Sequence, residues 1–195
     1  MDDQRSCRQQ EKKGQTDPSS GRGHHCVHME TAQSDKAALT AHIQPALPGD
    51  AHVIATMVGE LLHEIMAAVS EKVFRFDHPE TEARARAWLS DGSYLVWLAR
   101  DGGACVGFLA VYQSYALYTE GVYGTIPEFY VRPSHRSRGI GTTLLAESKK
   151  VGQTRGWRRL EVTTPPLPQF DRTLAFYQRQ GFTISGGHKL KVDLT

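Results

Sequence analysis

From residue 41 onward, the apolar positions of this chain follow helical and strand periods in turn. Apolar side chains recur every three or four positions from Ile54 to Val69, which predicts an amphipathic helix. Short apolar runs between glycine and proline turns predict strands. The expected elements are strand 41–46, helices 54–69 and 79–89, strands 94–99 and 105–112, a strand within 121–131, helix 140–154, strand 158–163, helix 170–180, and strands 182–184 and 190–194. The order β-α-α-β-β-β-α-β-α-β-β predicts an α/β (α+β) sandwich with a mixed sheet, not a doubly wound sheet.

The first 40 residues have a different composition. They are rich in polar and charged side chains, and residues 1–23 contain almost no apolar ones. Such a segment buries too little surface to offset the entropy of ordering it. We therefore expect a polar, disordered extension over residues 1–40 and one folded domain over residues 41–195. Cys7, Cys26 and the histidines near them lack a finger-like spacing, so we expect no metal.

Charge and cysteine usage narrow the functional classes. Lys and Arg number 23 against 21 Asp and Glu, a net charge of +2 that is too weak to favour nucleic acid or an anionic membrane. No apolar run approaches the roughly 20 residues that span a bilayer. The three cysteines are far apart, which argues against a disulfide framework and suits a reducing compartment. We expect a cytoplasmic protein with neither a nucleic-acid nor a membrane partner.

A basic, glycine-containing turn separates an apolar strand from an apolar helix. It reads Arg136-Ser-Arg138-Gly139-Ile-Gly141. The first turn of a helix offers unpaired N–H groups and the positive end of its dipole, and glycines let an anion come close. This pattern predicts a site for a diphosphate-containing cofactor. A dinucleotide fingerprint would place a third glycine at Leu144, and no Walker Gly-Lys-Ser/Thr is present.

Two motifs, in this order, carry a family resemblance. Arg136-x-x-Gly139-x-Gly141 resembles the pyrophosphate loop of the GNAT superfamily of acetyl-CoA-dependent N-acetyltransferases. Phe176-Tyr177-Gln-Arg-Gln-Gly181-Phe182 resembles that family's C-terminal signature Phe-Tyr-x-x-x-Gly-Phe. The order of elements over residues 41–195 is also similar to the GNAT fold. The resemblance implies a GNAT-like sandwich and acetyl-CoA as cosubstrate.

The resemblance also implies a set of cofactor contacts. The strand Phe129, Tyr130, Val131 would pair its backbone with the pantetheine arm, and the Val131 N–H would face the thioester carbonyl. Backbone N–H groups would wrap the pyrophosphate along Arg136, Ser137, Arg138, Gly139, Ile140, Gly141 and Thr142. The side chains of Arg132, His135 and Arg138 either reach outer phosphates or are simply solvated.

Catalytic roles follow from the same resemblance. Tyr177 corresponds to the family's general-acid tyrosine, although a packed helix tyrosine is the alternative. Glu128 is the only carboxylate within the cofactor strand and is the expected base. Many relatives carry the acidic residue one position earlier, where this chain has Pro127, so Glu128 could face the other side of the sheet. Carboxylates that could instead hold a cationic substrate are Glu64, Asp77 and Glu120.

One departure from the family pattern concerns the segment before Tyr177. Many relatives have an asparagine there that contacts the cofactor, and this chain has Phe170, so Arg172 is a possible substitute. The loops expected to read the acceptor are rich in aromatic residues, namely Phe74, Phe76, Tyr115, Tyr118 and Tyr123.

Three functions remain open at this point. The first is transfer of an acetyl group from acetyl-CoA to the primary amine of a small molecule, by direct attack with a carboxylate or water base and a tyrosine acid. The second is acetylation of a protein N-terminus or lysine. The third is a non-catalytic acetyl-CoA-binding module. A homodimer is a possible state because many relatives are dimers.

Overall fold

The computed structural model describes residues 41–119, 121–186 and 189–194. Within them the chain forms six strands and four α-helices, in an order that begins β-α-α as expected. The strands are β1 His42–Pro45, β2 Tyr94–Asp101, β3 Ala104–Ala116, β4 Gly121–Ile126, β5 Phe129–Val131 and β6 Leu160–Val162. The helices are α1 Ala51–Val69, α2 His78–Ser90, α3 Ile140–Thr154 and α4 Asp171–Arg179. The extension expected over residues 1–40 lies outside the described residues.

The strands form one mixed sheet in the order β1-β2-β3-β4-β6. Neighbours are antiparallel except β4 and β6, which run parallel. β3 is 13 residues long and pairs with two successive strands: its C-terminal half with β4 and residues 107–109 with β5. The single strand expected within 121–131 is therefore two strands, separated at Pro127 and Glu128. Proline has no N–H to donate to a ladder, which favours a break at this point.

Helices cover both faces of the sheet, which confirms the α/β sandwich. α1 and α2 cover one face, where Ile54, Met57 and Ala85 pack against β2, β3 and Tyr130. α3 covers the other face through Ile140 and two leucines, and Phe176 of α4 packs against the same cluster. The alternation of side chains along each strand divides its residues between these two cores.

One helical segment, Pro48–Val69, is long and apolar enough to cross a membrane by length and composition, with a mean hydropathy of 1.3. Those two criteria alone are weak evidence for a span, because core helices also meet them. Here the inner face of α1 packs on the sheet, and Glu60 and Glu64 on the same helix pair with arginines at the end of β5.

The C-terminal end departs from the expected hairpin. The described residues in 182–194 form no strand. The alternating apolar side chains that suggested strands are exposed, with Ile184 at 74%, Leu190 at 88% and Val192 at 79%. A strand needs a neighbouring strand for its backbone hydrogen bonds, and a local alternation of side chains does not supply that neighbour.

Candidate active site

The sheet has an opening at the point where β4 ends and β5 begins. β6 pairs with β4 as far as Ile126 and Val162. Beyond that pair, β5 continues along β3, and on its other side no described strand is paired with it. The result is an opening at the edge of β5, beside the C-terminal end of β6.

The register shows which backbone groups face this opening. Ala110 N–H donates to the Glu128 carbonyl at 2.9 Å, and Arg132 N–H donates to the Val106 carbonyl at 2.9 Å. In an antiparallel pair, alternate residues direct their N–H and C=O groups to the partner strand. Glu128, Tyr130 and Arg132 therefore face β3, whereas the backbone groups of Phe129 and Val131 face the opening. The Val131 N–H thus faces the opening, and its contact with a thioester carbonyl stays a prediction.

The opening leads to the N-terminus of α3. Gly139 is the N-cap residue at φ 82°, and Ser137 also has a positive φ of 61°. The first bond of the helix runs from Thr143 N–H to the Gly139 carbonyl at 3.1 Å. The N–H groups of Ile140, Gly141 and Thr142 precede that bond, so they have no acceptor within the helix. Three N–H groups beside a glycine turn fit the predicted pyrophosphate site.

The basic side chains of the turn do not extend toward this site. Arg136 donates to both carboxylate oxygens of Glu64, at 2.9 and 2.6 Å, and to the Val131 carbonyl at 2.7 Å. These bonds to Glu64 raise the pKa of Arg136. Arg132 is held in the same two-pronged way by Glu60, at 3.0 and 2.7 Å. The side chain of Arg136 therefore fastens the turn to α1 and β5, and its backbone N–H donates to the Pro133 carbonyl at 3.3 Å.

His135 and Arg138 also lie beside a carboxylate, that of Asp101 at the β2–β3 turn. His135 Nε2 lies 3.7 Å and Arg138 Nη2 3.4 Å from Asp101 Oδ2. Arg132, His135 and Arg138 each lie against a carboxylate, and their contact with outer phosphates stays a prediction.

Glu128 occupies the break between β4 and β5. It is half-buried and lies on the α1/α2 side of the sheet, the side that Tyr130 also faces. The Tyr94 hydroxyl donates to Glu128 Oε2. Burial raises the pKa of the Glu128 carboxyl, and the bond from Tyr94 lowers it in part. Glu128 thus lies on the face of the sheet opposite to the one that the side chains of Phe129 and Val131 occupy. Tyr177, described below, lies on that other face with Phe129.

Tyr94 is a residue that the sequence analysis missed. Its ring lies between Trp88, at 5.4 Å, and Tyr112, at 6.2 Å between centroids. Tyr94 opens β2 and pairs across the ladder with Tyr112, so the sheet brings it to Glu128 from 34 residues away. No local motif marks that contact. A knowledge of the β2–β3 register would have been needed to find it.

Tyr177 lies on the α3/α4 side of the sheet. It is 6% exposed, and its ring contacts Phe129, Phe176 and Phe182 at centroid distances of 6.2, 5.5 and 5.4 Å. Burial raises the pKa of the Tyr177 phenol. Among the described residues, none is hydrogen bonded to its hydroxyl. Glu128 and Tyr177 thus approach the strand β5 from opposite faces.

Of the remaining residues expected at the site, two have other partners, one lies outside the described residues and one is exposed. Glu64 is engaged by Arg136, and Asp77 caps α2 by accepting from Glu80 N–H at 2.9 Å. Glu120 lies outside the described residues. Arg172 is exposed at the start of α4.

The aromatic residues expected to read the acceptor lie in two groups. Phe74 and Phe76 lie in the segment between α1 and α2, partly exposed. Tyr115, Tyr118 and Tyr123 lie at the β3–β4 connection, where the Arg159 guanidinium lies over Tyr118 and Tyr123.

Residues 62–182 match the family model of the Acetyltransferase (GNAT) family. The chain belongs to the GNAT acetyltransferase family. The family uses acetyl-CoA. No curated protein matched the chain.

Solved structures share the fold of this GNAT protein. An aminoglycoside acetyltransferase from an uncultured soil metagenomic sample is 21% identical, with a TM-score of 0.63 over 80% of this chain and 99% of that one. A ribosomal-protein-alanine N-acetyltransferase from Brucella melitensis biovar Abortus 2308 is also 21% identical, with a TM-score of 0.59 over 79% and 99%. An acetyltransferase from Clostridium acetobutylicum, solved with acetyl-CoA, is 17% identical, with a TM-score of 0.65 over 79% and 96%. At these identities the similarity shows the fold.

Proposed function

We propose that this GNAT protein transfers an acetyl group from acetyl-CoA to the primary amine of a small molecule. One observation carries the proposal. The sheet opens at β5, and Glu128 and Tyr177 flank that strand from opposite faces. Acetyl transfer needs a base on the side where the amine arrives and an acid on the side where the thiolate leaves, and this arrangement supplies both.

The backbone of β5 and α3 would hold the cosubstrate. The N–H groups of Phe129 and Val131 and the Phe129 carbonyl are directed to the opening and can pair with the amides of a pantetheine arm, whereas the Val131 carbonyl accepts from Arg136. The Val131 N–H is then a donor to the thioester oxygen, which gains negative charge as the amine attacks. The N–H groups of residues 140–142 would receive the pyrophosphate. Arg136 contributes by fixing the turn in place rather than by contacting phosphate.

Glu128 would accept the proton of the amine, directly or through one water. An alkyl ammonium ion is not nucleophilic, so it must lose a proton before attack. Because burial raises the pKa of Glu128, its carboxylate is a stronger base than an exposed glutamate. The hydrogen bond from Tyr94 orients Oε2 and leaves the second oxygen for the substrate.

Tyr177 would protonate the departing thiolate. Because burial raises the pKa of its phenol, Tyr177 stays protonated at neutral pH and can donate. The ring contacts of Tyr177 within the described part of the chain are with the uncharged rings of Phe129, Phe176 and Phe182. Its proton therefore remains available until an anion forms beside it.

The surroundings of Glu128 favour a cationic small molecule as acceptor. Tyr94, which bonds the carboxylate, lies between the rings of Trp88 and Tyr112. Aromatic faces and a carboxylate together attract an ammonium group. Neighbours in fold include an aminoglycoside acetyltransferase and a ribosomal-protein-alanine N-acetyltransferase, so acetylation of a protein N-terminus or lysine is the second candidate. A binding module without catalysis is the third.

Turnover of acetyl-CoA with a panel of small polyamines and amino sugars, compared with peptides carrying a free N-terminus or a lysine, separates these functions. We expect small amines to be acetylated and peptides not. Glu128→Gln and Tyr177→Phe should each lower kcat about 10²- to 10⁴-fold while acetyl-CoA still raises Tm. Peptide-only turnover would favour the second candidate. Binding without turnover of any amine would favour the third.

A further inference from the structure

Two histidines and a glutamate meet between α1 and α2, in a cluster that shares no residue with the active site. His52 belongs to the first turn of α1, and His78 and Glu82 lie one turn apart on α2. His52 Nδ1 lies 2.9 Å and His78 Nδ1 4.0 Å from the same oxygen, Glu82 Oε2. The ligand atoms of the three side chains all lie within 4.8 Å of one another.

A threonine fixes the orientation of His78. The Thr56 hydroxyl donates its single proton to the His52 carbonyl at 3.0 Å. Its oxygen, 3.0 Å from His78 Nε2, must therefore accept the Nε2 proton. In the neutral ring this leaves the lone pair on Nδ1, which faces the carboxylate oxygen of Glu82. Two electron-pair donors that face each other are both satisfied by a cation between them.

Glu82 is held from its other side as well. Arg86 donates to Glu82 Oε1 at 2.7 Å and to the Pro48 carbonyl at 3.0 Å. That bond leaves Oε2 directed at the two histidines. Thr56 and Arg86 thus stand behind the cluster as hydrogen-bonding partners of the kind that orient metal ligands.

We propose that His52, His78 and Glu82 bind a divalent transition-metal ion such as Zn²⁺, which joins α1 to α2. Imidazole nitrogens with one carboxylate suit zinc, nickel or copper and not magnesium. A tetrahedral zinc ion with bonds of about 2.1 Å holds its ligand atoms about 3.4 Å apart. The present separations of 2.9 and 4.0 Å bracket that value, and His52 is exposed and free to adjust.

No sequence motif marks this site, and the sequence led us to expect no metal. His78 and Glu82 show only a four-residue spacing, and His52 precedes His78 by 26 residues. Only the packing of α1 against α2 brings the third ligand in. A metal there touches none of the proposed catalytic groups, so its expected role is to stabilise the α1/α2 face.

The sample for the test is the 195-residue chain, with His24, His25 and His28 replaced by alanine so that they do not compete for metal. We expect calorimetric titration with ZnCl₂ to give about one bound ion. Saturating Zn²⁺ should raise Tm by about 5–10 °C, and MgCl₂ should not. His63→Ala, on the exposed face of the same helix, should leave the rise unchanged.

Substitutions at the cluster decide the outcome. His78→Ala, or Glu82→Gln if the first variant unfolds, should abolish the Zn²⁺-dependent rise. Thr56→Val, which keeps the shape of the side chain but not the hydroxyl, should weaken Zn²⁺ binding about tenfold. The proposal is overturned if Zn²⁺ leaves Tm unchanged, or if the rise survives in both His78→Ala and Glu82→Gln.

Discussion

Replacing Gly139 by alanine tests the turn on which the proposed cosubstrate site depends. Gly139 caps α3 at φ 82°, in the left-handed region that a Cβ atom disfavours. Gly141, two residues later, is outside that region. A Cβ there would lie 3.4 Å from Phe176 Cζ and 3.5 Å from Phe129 Cζ, which is ordinary contact. The two substitutions add the same methyl group, so Gly141→Ala is the matched control.

Substitution by alanine lowers the stability of the folded state at Gly139 but not at Gly141. Holding alanine in the left-handed conformation costs about 1–2 kcal/mol. The reduced freedom of alanine in the unfolded chain offsets about 0.4–1 kcal/mol of this. Gly139→Ala should thus lose about 1 kcal/mol, which for a chain of this size lowers Tm by about 2–4 °C. Gly141→Ala has the same unfolded-state effect without the strain, so its Tm should be unchanged or slightly higher.

Thermal unfolding with and without acetyl-CoA measures both stability and binding. At about 100-fold the dissociation constant, a ligand adds about 2.7 kcal/mol to the free energy of unfolding. Gly156 follows the C-terminal end of α3 and has a φ of 70° with open space around its Cβ position, so we expect Gly156→Ala, which carries the same strain away from the site, to keep this ligand-dependent rise. Gly139→Ala should lose most of it, because relief of the strain at Gly139 turns the N–H groups of α3 away. If Gly139→Ala showed the same rise as the unchanged protein, the turn would not be a phosphate site.

Two further predictions concern the catalytic carboxylate and the core. The rate should fall as pH drops through the pKa of Glu128, because only the carboxylate is a base, and burial places this limb above the usual glutamate range. Tyr94→Phe removes the bond that lowers this pKa, so the limb should move to higher pH in a kcat/KM profile; an unmoved limb would exclude Glu128 as the base. Gly124→Ala should destabilise the protein by about 1–3 kcal/mol in denaturant unfolding, because its Cβ would lie 2.4 Å from the Trp157 ring and 2.6 Å from Leu160 Cδ2. An unfolding midpoint equal to that of the unchanged protein would mean that the Trp157 ring moves aside with little loss of stability.

Features set by neighbouring residues could be predicted from the sequence. The apolar stripe of α1 and the glycine turn before α3 depend on side chains within one or two turns, and both elements lie where expected. The same holds for the Asp101-Gly102-Gly103 hairpin, whose glycines have φ of 57° and 84°. Local rules are sufficient where local geometry decides the structure.

Features that depend on residues far apart in the sequence could not be predicted from it. The Arg136 side chain pairs with Glu64, 72 residues earlier, and no local pattern in the sequence marks that contact. The pairing of Tyr94 with Glu128 depends on the register of three strands. The prediction of a final hairpin was wrong because the alternation of apolar side chains at residues 190–194 does not show whether a neighbouring strand is present. Sequence patterns show which faces are apolar, but they do not show what each face meets.

A crystal structure of the protein with acetyl-CoA tests the central claim most directly. We expect the pantetheine arm along the free edge of β5, with its thioester oxygen at the Val131 N–H. The pyrophosphate should lie on the N–H groups of residues 140–142. Glu128 and Tyr177 should approach the thioester from opposite sides. Acetyl-CoA bound away from β5, or a thioester out of reach of both side chains, would contradict the account.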